Sequence, residues 1–111
     1  TAGDWRQLPN GDLEITVSEM ADRRHVLLVA VHELIEAILC EARGISEEAV
    51  TEFDLIAIEA DPTAEPGDDP RAPYQREHCF ATGIERLLAA ALEVPWAGYE
   101  NSIDALMEQK R

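Results

Sequence analysis

Apolar and polar residues alternate along Trp5-Arg6-Gln7-Leu8 and again along Leu13-Glu14-Ile15-Thr16-Val17, with Pro9-Asn10-Gly11-Asp12 between the two runs. A period of two marks strands, and Asn-Gly between such runs is the strongest short-range signal for a hairpin turn. The chain is therefore expected to open on a β-hairpin. The period then changes. From Val26 to Cys40 nearly every residue is apolar, and at 100° per residue Val26, Leu27, Leu28, Ala30, Val31, Leu34, Ile35, Ala37 and Ile38 cover most of a helical circumference. Ser18 or Asp22 offers a cap at one end and Gly44 a left-handed stop at the other, which predicts a long central helix over residues 23–43.

Ser46 followed by Glu47 and Glu48 starts a second helix with a capping hydroxyl and an acidic first turn; its far half, residues 53–58, also fits a strand. Residues 61–73, DPTAEPGDDPRAP, are too rich in proline and aspartate for either element and predict an irregular surface loop, of a length often found to be functional or mobile. A third helix is expected over residues 74–93, with Phe80, Ile84, Leu87, Leu88 and Leu92 on one side, and a short fourth from about Tyr99 toward Gln109. Trp96 and Tyr99 would anchor a corner of the core, in preference to a dimer contact. The expected fold is α+β: one domain over residues 1–111, a small antiparallel sheet packed on three to four helices, the long helix central.

Charge narrows the functional classes. Nine basic residues against 23 acidic ones give a formal net charge of −14, which opposes any direct contact with nucleic acid. The apolar run is broken by His32, Glu33 and Glu36 before it reaches membrane-spanning length, so no membrane partner is expected. The opening residues carry neither a basic stretch nor an apolar core of the signal-peptide kind. Cys40 and Cys79 lack CxxC spacing and read as two buried thiols in a reducing compartment, which makes a cytoplasmic protein the expectation.

The chemistry concentrates in Val31-His32-Glu33-Leu34-Ile35-Glu36. His32 and Glu36, four apart, share a helix face and can reach one divalent ion, while Glu33 sits where a general base for a metal-activated water is expected. On an ordinary amphipathic helix the same pair would be a weak solvent-side contact. Against that, His25, His32, Glu36 and Arg43 form a narrow line interrupted by Val29 and Leu39, and the third helix holds polar groups at apolar positions. Glu77 falls near the middle of its apolar arc, where a carboxylate needs a partner such as Arg24 or Arg43, and His78 and Glu85, seven apart, lie beside it. A zinc site needs three ligands and an open position, so His32, Glu36 and His78 are the expected ligands. Glu77 is the alternate third ligand, Glu85 a further one, and Asp54 either a ligand or the carboxylate that orients an imidazole.

Residues 11–40, GDLEITVSEMADRRHVLLVAVHELIEAILC, resemble the zincin-like metallopeptidases in their succession of edge strand, connection and motif helix. The resemblance implies a hydrolase with His32 as first zinc ligand and Glu33 as the base. Glu36 stands where that family has its second ligand histidine, so the pattern is HExxE in place of HExxH, and an added negative charge lowers the Lewis acidity of the ion. The substrate would be a peptide or a small molecule. The compact layout also looks like small proteins of bacteriophages. A second enzyme class fits the acidic residues: small helical nucleotide pyrophosphohydrolases of the MazG type, which would hold magnesium, or equally manganese, through Glu33, Glu36, Glu77 and Glu85. The non-enzyme alternative is an accessory module whose polar cluster or structural metal staples a small core and whose acidic surface meets a protein partner.

Overall fold

A computed structural model describes residues 2–110; the first and last residues of the expected domain lie outside the described range. The hairpin forms as the alternation requires: β1 (Gly3–Gln7) pairs antiparallel with β2 (Leu13–Val17), Gly3 opposite Val17 and Gln7 opposite Leu13. Gly11 takes the left-handed conformation at φ +90°, and the Asn10 side chain accepts from the Asp12 amide at 3.0 Å, closing the turn. Trp5 points inward and is buried, while its neighbours Arg6 and Gln7 are exposed.

Of the two candidate caps, Asp22 begins α1 (Arg23–Ala42), its carboxylate accepting from the Arg24 amide at 2.9 Å. Gly44, at φ +68°, ends the helix and lets the Ile45 amide return to the Cys40 carbonyl at 2.9 Å. Ser46 caps α2 (Glu47–Ala60), which is helical throughout, so residues 53–58 are not a strand. Residues 61–73 are irregular apart from a single 3-10 turn at Pro66–Asp68. Then come α3 (Gln75–Ala91) and α4 (Trp96–Gln109), the last starting three residues before Tyr99 because Pro95 caps it in an extended conformation. The fold is α+β, a two-stranded sheet with four helices.

The central pair is α1 and α3, packed antiparallel: Arg24 reaches the Leu92 carbonyl at one end and Arg43 pairs with Glu77 at the other. The hairpin covers α1, the 3-10 turn and α4 lie against α3, and two apolar clusters fill the space between. Trp5, Ala37, Cys40, Val50, Ala72 and Tyr74 form one; Leu28, Val29, Ala89, Val94 and Tyr99 form the other, with Val17 and Trp96 packed on it.

Two expectations are corrected here. α3 is rotated toward the polar edge of the expected arc: Glu77, near its middle, is buried with His78 and Glu85 beside it, whereas Phe80 and Leu87 on the arc's other edge are exposed. Each of the three buried groups finds a partner on α1 (Arg43, Glu36 and His32), and pairing outweighs the apolar arc in choosing the face. The same rotation leaves Cys79 exposed, so only Cys40 is a buried thiol.

Candidate metal centre

α1 supplies His32 and Glu36 from successive turns of its α3-facing side, and α3 supplies His78 at the same level. Their ligand atoms form a nearly equilateral triangle. His32 Nε2 lies 3.2 Å from Glu36 Oε2 and 3.2 Å from His78 Nδ1, and His78 Nδ1 lies 3.0 Å from Glu36 Oε2. Zinc bonds of about 2.0–2.1 Å at tetrahedral angles put ligand atoms about 3.3 Å apart. Octahedral bonds of the same length put them about 2.9 Å apart. The triangle thus has the size of one face of a first coordination shell.

Each corner is held from behind. The other nitrogen of His32, Nδ1, faces Glu85 Oε1 at 2.8 Å, and Tyr99 donates its hydroxyl to the remaining oxygen of Glu85. The other nitrogen of His78, Nε2, faces Asp68 Oδ1 at 3.3 Å. Trp5 donates its indole N–H to Glu36 Oε1 at 3.2 Å. A carboxylate on the distal nitrogen of each ring can hold a proton there, which would leave the lone pairs of both imidazoles facing the triangle's centre for an ion, as in carboxylate–histidine–metal arrangements. Gly67 presses on the His78 ring so closely that an added Cβ would lie 2.4 Å from it. The proline-rich loop therefore positions the His78 ring.

Electrostatics shift the three corners of the triangle and their neighbour Glu33. Burial alone would lower the basicity of His32, but the hydrogen bonds it donates to Glu36 and Glu85 overcome it and raise its pKa to about 10. His78 moves up as well, its burial outweighed by the Glu36 hydrogen bond. Burial would raise Glu36, yet both imidazoles hold it down at about 2. Glu33 goes the other way, to about 8, first through burial and then through the charge of Glu36. Gly3 of β1 packs on its side chain, and among the described residues no hydrogen bond or ion pair fixes its carboxylate.

Of the other candidates, Glu77 is only 3% exposed and is held by Arg43, one of the two arginines anticipated for it, so its carboxylate does not join the triangle. Glu85 stands behind His32 and is not itself a corner. Asp54 accepts from the Tyr74 hydroxyl and orients neither histidine; burial raises its pKa to about 6. The chain reading missed Asp68, Gly67, Trp5 and Tyr99. The one available signal was the length of the loop at 61–73 with its Pro-Gly-Asp turn. No family model, no curated protein and no solved structure matches this chain.

Proposed function

We propose that this chain is a metal-dependent hydrolase of zincin-like type, with His32, Glu36 and His78 holding one zinc ion and Glu33 acting as general base. The observation that carries this reading is the pair of carboxylate-backed imidazoles, Glu85 behind His32 and Asp68 behind His78, aimed with Glu36 at a single point. Two imidazoles and one carboxylate suit zinc among the common divalent ions and leave a further position for water or substrate. Zinc in such a site acidifies a water and polarises a carbonyl or phosphoryl oxygen. Glu33, on the hairpin side of the same helical turn and without a hydrogen bond or ion pair among the described residues, would accept the proton of the attacking water once the charge of a bound ion drew its raised pKa back down. The substrate is a peptide or a small molecule, and the two free cysteines fit a reducing, cytoplasmic setting. No helix among the described residues is long and apolar enough to cross a membrane.

The magnesium or manganese pyrophosphohydrolase reading draws less support, since Arg43 occupies Glu77 and the group able to hold an ion among the described residues contains two imidazoles. The test is Glu33→Gln in zinc-loaded protein assayed against peptide and ester substrates. The hydrolase reading expects wild-type turnover and none in the variant, at equal zinc content. Equal turnover in both would overturn it; bound zinc that raises stability without any turnover would leave a structural metal in an accessory module.

A further inference from the structure

We infer that the α1–α3 pair is half of a four-helix interface, completed by a second copy of this chain. The hairpin reaches α1 through Trp5, the 3-10 turn reaches α3 through Asp68, α4 reaches it through Tyr99, and Val17 and Trp96 meet in one cluster. All of these lie on one side of the helix pair. The opposite side is bare and apolar: Leu27, Leu34 and Ile38 of α1 and Phe80 and Leu87 of α3 are exposed, Leu87 by 70%, with Val31, Ile35, Ile84 and Leu88 half-buried between them. The charged groups in the middle of both helices turn away from it. His32, Glu33 and Glu36 face α3 or the hairpin, Glu85 faces His32, and Arg86 stacks over Trp96 on the α4 side.

Area and charge together select the occupant. A compact monomer of 12.3 kDa exposes about 6,100 Å². This chain exposes 7063 Å², an excess close to the roughly 800 Å² that each partner contributes to a stable interface. A face whose middle carries no charge offers a charged partner little to pair with, whereas it is self-complementary across a two-fold axis, as homodimer cores are. Through it two chains of net charge −14 can meet without opposing carboxylates. The apolar pair Leu55 and Ile56 on α2 is flanked by exposed Glu52 and Glu59 and does not form such a face.

The experiment is sedimentation equilibrium of the full chain at low and high salt, with Leu34→Asp, Leu87→Asp and, as a control, Leu55→Asp. The wild type is expected to dimerise, more tightly at high salt because screening relieves the repulsion between acidic chains. Leu34→Asp and Leu87→Asp should each weaken dimerisation at least about tenfold, and together about 100-fold; circular dichroism checks that the helices persist, and Leu55→Asp should behave as the wild type. A wild-type chain still monomeric at about 100 µM, a dimerisation constant weaker than about −5.5 kcal/mol, overturns the inference. So does a dimer broken by Leu55→Asp and indifferent to the other two.

Discussion

Nε2 of His32 and Nδ1 of His78 lie 3.2 Å apart, on different helices, while the other nitrogen of each ring rests on its own carboxylate. Two hydrogens cannot comfortably occupy the space between those nitrogens. A cation at the centre, or a single shared proton network around Glu36, would resolve the crowding, and zinc loading tells the two apart.

Replacing Glu85 by Gln keeps a hydrogen-bond acceptor near His32 but removes the charge that makes its ring a better ligand. Zinc affinity should fall by about 10- to 100-fold with the stoichiometry unchanged. Competition titration against a chromophoric chelator measures this, and an unaltered dissociation constant would detach Glu85 from the site.

Two glycines separate packing from propensity. A methyl group on Gly67 would meet the His78 ring at 2.4 Å, whereas one on Gly83, in the middle of α3, meets nothing within 4 Å. Gly67→Ala should destabilise by about 1–3 kcal/mol and weaken zinc binding. Gly83→Ala should stabilise the protein by about 1 kcal/mol. Urea melts of both variants check the pair; the order reversed would mean that the loop does not rest on the histidine.

How the chain reads and how it folds diverge at that loop. Asn10-Gly11, Asp22, Gly44 and Ser46 mark turn, caps and stop by local chemistry, and each does so in the structure. His32 and Glu36 could be paired from helical spacing alone, and His78 could be joined to them because it sits beside a carboxylate misplaced on an apolar arc. That the edge of α3 holding Phe80 and Leu87 stays outside was not legible. Phe80 and Leu87 have the greater apolar weight, and the decision lies with Arg43, Glu36 and His32 on another helix. Gly67 and Asp68 were hidden for a related reason: a close approach between a loop and a ring has no periodicity.

Arg43→Met leaves the buried Glu77 carboxylate without its partner and should destabilise by about 1–3 kcal/mol. Adding Glu77→Gln should recover part of that loss. Thermal melts of the two single variants and the double variant test it, and strictly additive losses would show that the pair is not coupled.

Asp54 gives a pH signature away from the three ligands. Burial lifts its folded pKa to about 6, above the 3.8 of a free aspartate side chain, so the folded chain holds that proton more tightly. Its favourable contribution is complete below the unfolded value and is lost as pH rises through about 6. Asp54→Asn keeps an acceptor for the Tyr74 hydroxyl and cannot ionise. The variant should therefore gain stability over the wild type between pH 4 and 7, with melting curves compared across that range. A constant difference would contradict the raised value.

The most direct test of the central claim is the zinc content of purified protein, stripped with chelator and reloaded, for the wild type beside His32→Ala and His78→Ala. The account expects about one ion per wild-type chain and almost none in either variant, with metal release lowering the melting temperature of the wild type alone. A wild-type chain that retains no zinc, or variants that bind as much of it, would contradict the site built from His32, Glu36 and His78.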